Sequence, residues 1–155
     1  MYCLNYQVPI TTSTKKMKMK KLLFAIALTF GLFAPQGLSA QSEGTQNYFV
    51  LNRNLQQLKA ISLAAGDLAE MDGEQFGEFN VVICGKAVKD LVNPEIMEPI
   101  ITLAEEKGVQ LVACGFSLKK FGVDPSAIPA QMTKVDNGIL YGFTLQKKGY
   151  YSITL

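Results

Sequence analysis

Two stretches of the chain share one grammar. Residues 82–91 read VICGKAVKDL and residues 112–121 read VACGFSLKKF. Each passes from an apolar run into Cys-Gly, then into an amphipathic segment with lysine at the eighth place, Lys89 or Lys119. The reactive groups are the thiols of Cys84 and Cys114. A cysteine is a nucleophile as its thiolate. At the end of a strand and the start of a helix it lies near backbone N–H groups and the positive end of the helix dipole, which favour that form. Lys119 and Lys120 add positive charge near Cys114, and Lys86 does so near Cys84. Gly85 and Gly115 carry no Cβ, which leaves room for a second sulfur compound to approach. Against this stands the plainer reading that each cysteine is a small buried hydrophobe. The paired occurrence, at the place where α/β proteins set their sites, favours chemistry.

The two phrases begin 30 residues apart, the length of one parallel crossover of about 30 residues. Each therefore reads as strand, glycine-assisted turn and helix start. If the two strands are neighbours they lie about 4.8 Å apart, inside the roughly 4.4–6.8 Å Cα window of a disulfide. Proximity of the thiols is expected. It implies either a Cys84–Cys114 disulfide or a nucleophile, Cys114, with Cys84 as its resolving thiol.

The rest of the chain supplies the elements that must hold these ends. Residues 48–51 (YFVL) form a first strand, with Asn52 or Asn54 as cap of the next helix. Leu55, Leu58, Ile61, Leu63, Ala65 and Leu68 make an apolar stripe at helical spacing, ended by Met71-Asp72-Gly73. Residues 79–83 form a strand with no polar alternation, as for a strand covered on both faces. A short helical turn over 86–91 follows. Asn93-Pro94-Glu95 starts a helix with cap, N1 proline and first-turn acid. Its inner face is expected to be Ile96, Ile100, Leu103 and Ala104, with Pro99 kinking or delaying it. Residues 109–113 form a third strand and 117–121 another helix. A proline-containing loop spans 124–129, Val135 marks a short strand, 139–146 reads as a helix with a strand as the alternative, and 150–155 is a final strand. Alternating strands and helices predict an α/β fold: three layers, α/β/α, with a mainly parallel sheet of about five strands.

Composition narrows the function. The chain has 155 residues and no histidine, which removes Cys-His and Ser-His nucleophile pairs and most zinc or copper sites. The chain has three cysteines, but Cys3 falls in the first 16 residues, read below as outside the mature protein. The two remaining thiols alone do not complete a tetrahedral metal site, so no metal or cofactor is expected. No GxGxxG or P-loop follows a strand, so no nucleotide is indicated. Acidic residues around 67–78 read as a solvated surface, since their spacing is not that of a calcium loop.

The first 40 residues read as a leader. Lys15, Lys16, Lys18, Lys20 and Lys21 form a basic cluster before an uncharged apolar run of 12 residues, 22–33. A membrane helix needs about 20. Pro35 and Gly37 break the run, and Leu38-Ser39-Ala40 ends on a small residue. That is a secretory signal peptide over 17–40 with cleavage near Ala40. Residues 1–16 read as an upstream extension outside the mature protein, with Met17 or Met19 the better initiator. Residues 41–46 then form a flexible N-terminus and 47–155 one domain. Cleavage leaves 115 residues with 10 Lys+Arg against 13 Asp+Glu, so the formal charge changes from +2 to −3. The basicity belongs to the leader, and no basic patch remains to suggest nucleic acid. A periplasmic or secreted protein is expected, with no membrane association in its mature form.

The runs VVICGKAVKDL, GVQLVACGFSLKKFGV and DNGILYGFTLQKKGYYSITL resemble the DsrE/DsrF-like family of sulfur-relay proteins over roughly 47–155. The markers are Cys114-Gly115 at a strand end, Gly138 before the penultimate helix, and Leu145 with Gly149-Tyr150 before the last strand. The resemblance implies a parallel-sheet α/β fold, homo-oligomers that are trimers or hexamers, and protein donors and acceptors of sulfur. It also implies that Cys114 carries a persulfide; Cys84 is not carried over from the family. The familiar relay members are cytoplasmic, so the export signal is a departure.

The leading expectation is an exported sulfurtransferase or persulfide carrier. Cys114 is its nucleophile, Gly115, Phe116 and Ser117 offer backbone N–H groups, and Lys119 and Lys120 give electrostatic help. Gly85 and Lys86 line the approach to Cys84. The alternative is a non-catalytic oligomeric binding or scaffold module with a structural Cys84–Cys114 disulfide. A third reading is a small-molecule pocket lined by Phe116, Tyr141 and Met132.

Overall fold

The computed structural model describes residues 44–155. The signal peptide expected over 17–40, the upstream extension 1–16 and the first residues of the expected flexible segment lie outside the described residues. Within them, five parallel strands form one sheet: β1 (Gln46–Asn52), β2 (Phe76–Ile83), β3 (Val109–Cys114), β4 (Thr133–Val135) and β5 (Tyr151–Thr154). Their order is β4-β3-β2-β1-β5. Four α-helices connect them: α1 (Leu58–Asp72), α2 (Pro94–Glu106), α3 (Gly115–Phe121) and α4 (Gly138–Lys147). This is the α/β fold expected, with all five strands parallel.

Crossover handedness explains the layers. From β1 to β4 the chain moves steadily one way across the sheet, so right-handed crossovers put α1 and α2 on one face. It then returns past β1 to form β5, and the same rule puts α4 on the other face. The two cores follow the pleat. Val50, Val81, Ile83, Leu111 and Ala113 point toward Leu58, Ile61, Met97 and Ile101 of α1 and α2. Their alternates Phe49, Val82, Cys84, Val112 and Cys114 point toward Leu145 of α4. Side chains on a strand alternate faces with period two, so both cysteines necessarily share the α4 face.

The helices begin where their caps place them. Asn93 Oδ1 accepts from Glu95 N–H and Pro94 takes the first position of α2. The inner face of α2 agrees with the expected one only in part. Ala104 is buried as expected, but Met97 and Ile101 are buried beside it, whereas Ile96 is exposed and Ile100 and Leu103 are only half-buried. Both sets have helical spacing, and the α1 contact selects between them. Pro99 lies on the exposed side and the helix runs through it; solvent can reach the carbonyl that lacks its N–H partner. In α1, Leu63 also faces solvent. Strand β2 starts three residues earlier than the apolar run, at Phe76, because Gln46 of β1 pairs there across a register shift.

α4 sits close against the sheet through two glycines one turn apart. A Cβ on Gly142 would lie 2.6 Å from Phe49 Cζ, and one on Gly138 would lie 2.7 Å from Val82 Cγ1 and 2.8 Å from Cys84 Sγ. Neither position has space for a methyl group.

Candidate functional site

Three neighbouring strands end in a row. Asn52 pairs with Ile83, and Ile83 with Ala113. The next residues along the chain are Arg53, Cys84 and Cys114. The two repeated phrases also fold alike: positions 81–90 and 111–120 have the same sequence of buried and exposed residues. Each strand enters a helical segment directly, β2 a 3-10 stretch over Gly85–Val92 and β3 the helix α3.

The same glycine has two jobs in the two phrases. Gly85 has φ 70°, in the left-handed region, where L side chains are strained. Gly115 does not. It instead gives clearance for β4, since a Cβ there would lie 3.0 Å from Val135 O and 3.3 Å from Asp136 O. The Phe116 N–H donates to Asp136 O at 2.7 Å, which ties the start of α3 to the end of β4.

Cys84 and Cys114 are both buried and both free thiols. They are hydrogen-bonded to each other. The fold thus brings the pair together as the crossover spacing predicts, without a bond between them. Their environments push the two thiols apart. Burial drives Cys84 up to about 12, and the neighbouring Cys114 adds to the rise. Burial acts on Cys114 in the same direction, but hydrogen bonds from the Ser117 hydroxyl, the Gly138 and Ser117 N–H groups and Cys84 outweigh it and hold Cys114 below the ordinary thiol range. The Gly138 N–H donates to Cys114 Sγ at 3.2 Å. Ser117 Oγ accepts the Gly85 N–H at 3.0 Å, which leaves its own proton for sulfur. Cys84 is therefore held as the protonated thiol, and the bonds around Cys114 favour its thiolate form.

Asn137 aims the Gly138 N–H. Its Oδ1 accepts from the Ile139 and Leu140 N–H groups at 3.0 and 3.3 Å, capping α4. The first turn of α4 is fixed with its Gly138 N–H over Cys114.

A cavity of about 630 Å³ opens onto both thiols. It is lined by Leu51, Arg53, Cys84, Gly85, Lys86, Cys114, Phe116, Ser117, Lys120, Phe121, Asn137 and Ile139. Of the residues singled out by sequence, Cys84, Gly85, Lys86, Cys114, Phe116, Ser117 and Lys120 meet here. Gly115 lies beneath them against β4, and Lys119 does not reach the cavity. The chemistry of Ser117 lies in its hydroxyl as well as its N–H, which sequence reading did not anticipate. Arg53, Asn137 and the role of Gly138 were also missed. Arg53 was open to the same logic as the cysteines, because it follows a strand-forming apolar run. The pocket imagined among Phe116, Tyr141 and Met132 does not form. Met132 is buried in the α1–α2 core, and Tyr141, on α4, packs on the opposite face of the sheet with its hydroxyl donating to Asn80 Oδ1 at 3.3 Å.

Comparison with known proteins agrees with this architecture. The family model of the DsrE/DsrF-like family matches residues 46–155, and the chain belongs to that family. Among solved structures, a protein of unknown function from Methanobacterium thermoautotrophicum is similar at 16% identity, with TM-score 0.55, covering 72% of this chain and 99% of the other. A conserved protein of unknown function from Bacteroides thetaiotaomicron is similar at 20% identity, with TM-score 0.53, covering 70% of this chain and 95% of the other. At these identities the likeness concerns the fold. No curated protein matches the chain.

Proposed function

We propose that this chain is an exported sulfur carrier in which Cys114 accepts a sulfane sulfur as a persulfide and passes it to a partner's thiol. The observation that carries the reading is the free Cys114 on the wall of an open cavity, its sulfur accepting the Gly138 N–H at 3.2 Å and its pKa lowered by hydrogen bonds from Ser117, Gly138 and Cys84. Membership of a family known for sulfur relay supports it. Cys114 thiolate attacks the outer sulfur of a donor persulfide; a new S–S bond forms, the donor S–S bond breaks, and the donor leaves as thiolate. In handover the acceptor thiolate attacks the outer sulfur of the Cys114 persulfide, and Cys114 leaves as thiolate. No electrons or protons are left over in either step. Stabilising the thiolate serves both, since Cys114 is nucleophile in the first and leaving group in the second. Cys84, protonated, donates to that sulfur.

A homo-oligomer and protein donors and acceptors belong to the same reading. Ile139, Leu140, Phe143 and Phe116 are each more than half-exposed beside the cavity, a surface suited to another chain. Export to the periplasm or beyond rests on the leader pattern, and N-terminal sequencing of the exported protein tests it.

The test of carriage is intact mass after purification without reductant. The expected species is one sulfur atom heavier, reverts on reduction, and is absent in Cys114→Ser but present in Cys84→Ser. A species two hydrogens lighter than the dithiol would instead show a Cys84–Cys114 disulfide and favour a structural pair. Sulfur retained in Cys114→Ser and lost in Cys84→Ser would reverse the two roles.

A further inference from the structure

Among the described residues, the charged side chains of the thiol cavity are Arg53, Lys86 and Lys120, and no Asp or Glu lines it. The mature segment as a whole is acidic, with 10 Lys+Arg against 13 Asp+Glu after residue 40, so this concentration of cations runs against the average. Arg53 is held at the site by the backbone. Its N–H donates to Leu155 O at 3.3 Å, and its Nε lies 3.4 Å from the point a Gly85 Cβ would occupy. The left-handed turn at Gly85 therefore leaves the guanidinium beside Cys84.

These cations are not what lowers the Cys114 pKa. Hydrogen bonds do that, and the charge of Arg53 falls on Cys84, whose pKa is raised all the same. Asn137 does not compete for a ligand, because its side-chain oxygen is engaged in capping α4. The positive charge is left to something that enters the cavity. A guanidinium fork matches an oxyanion with two parallel hydrogen bonds, and a cavity lined by one sign of charge concentrates the opposite sign.

We propose that the sulfur donor for Cys114 is a small oxyanion bearing a sulfane sulfur, of which thiosulfate is the simplest, bound through its oxygens by Arg53 with Lys86 and Lys120. The proposal rests on the sulfur-carrier reading and names its substrate class. Cys114 thiolate attacks the outer sulfur of thiosulfate, the thiosulfate S–S bond breaks, and sulfite leaves with the electron pair. Thiolate plus thiosulfate gives persulfide anion plus sulfite; three negative charges stand on each side, no proton moves and no outside oxidant or reductant is needed. Arg53 is a substrate-binding residue here. It holds the oxyanion half, which becomes the leaving group, while the outer sulfur faces Cys114.

The experiment compares two donors on the chain from residue 41 onward, which lacks Cys3: sodium thiosulfate and tert-butyl persulfide, which carries no oxyanion oxygens. Rates of gain of one sulfur atom are read by intact mass. The wild-type chain is expected to load from both. Arg53→Gln is expected to lower the ratio of thiosulfate to persulfide rates roughly tenfold or more, the size of a lost charged hydrogen bond. Arg53→Lys should restore part of it, and added salt should slow thiosulfate loading selectively. An unchanged ratio in Arg53→Gln overturns the proposal, because loss of structure alone would slow both donors together. Loading from persulfide but not from thiosulfate also overturns it and leaves the carrier reading standing. Loading from neither donor overturns both.

Discussion

The Gly138 N–H points at Cys114 Sγ from 3.2 Å, across 24 residues of chain. That bond joins the start of α4 to the end of β3 and makes the thiolate depend on how closely α4 seats on the sheet. The seating is possible because Gly138 has no side chain. A Cβ there would lie 2.8 Å from Cys84 Sγ and 3.0 Å from Cys114 Cβ.

Gly138→Ala should therefore act twice. The methyl group forces α4 outward, with a stability loss of about 1–3 kcal/mol, as for overpacked cores. The same shift lengthens the N–H···S bond and raises the Cys114 pKa. Urea unfolding reads the first effect and iodoacetamide rate against pH the second. A variant with wild-type stability and an unmoved pH profile would show that the close contact does not constrain the site.

The two thiols should titrate on opposite sides of an ordinary cysteine. Cys114 is held low, so its alkylation should rise through a midpoint below that of an unstructured cysteine. Cys84 is pushed up to about 12 by burial and should stay unreactive. Native protein at about pH 8 should thus take one label per chain, at Cys114, while denatured protein takes label at both. Linkage gives the stability signs. The raised Cys84 pKa contributes stability that is present below the unfolded thiol pKa and lost as pH rises toward about 12. The lowered Cys114 pKa contributes stability that is present at high pH and lost as pH falls through its folded value. Equal labelling of both cysteines in the native protein would refute the division of roles.

Cys84 supplies one of the hydrogen bonds that lower the Cys114 pKa. Cys84→Ala removes that donor, and the alkylation midpoint of Cys114 should rise. Cys84→Ser keeps a donor and should shift it less. Identical midpoints in the two variants would mean that Cys84 acts only by packing.

Asn137→Ala tests the cap that aims the Gly138 N–H. The lost side-chain bonds to Ile139 and Leu140 N–H should cost about 1 kcal/mol of stability. If the cap positions the Gly138 N–H, the Cys114 midpoint also rises. Asn137→Asp keeps the cap and should restore stability. A stability loss with no change in thiol reactivity would limit Asn137 to the helix alone.

The strand ends were legible because parallel strands covered on both faces carry unbroken apolar runs, and Cys-Gly closes two of them at one crossover spacing. Three features were not legible. The inner face of α2 was misplaced in part because Ile96/Ile100 and Met97/Ile101 have the same period, and only packing on α1 distinguishes them. Arg53 was hidden between Asn52 and Asn54, two good capping residues; Asn54 does cap the short 3-10 turn at Leu55–Gln57, and that local signal obscured the longer-range one. The role of Gly138 is a contact between segments remote in sequence. No local pattern encodes the Cys84 sulfur that fills the space its side chain would need.

The repeated Cys-Gly suggests two equivalent turns, and their backbones show that they are not. Gly85 is left-handed at φ 70°, so Gly85→Ala should cost about 1–2 kcal/mol from backbone strain alone. Gly85→Asn should cost less, since Asn tolerates that region better. At Gly115 the backbone is ordinary and the obstacle is the carbonyl of Val135 at 3.0 Å. There Asn gains nothing over Ala and, being larger, should be worse. Urea midpoints of the four variants decide the matter. If Asn is the milder replacement at 85 and the harsher one at 115, the two glycines answer to different constraints, one in φ and one in space. The same rank order at both sites would mean that a single constraint, and not the one assigned here to each, governs the two turns.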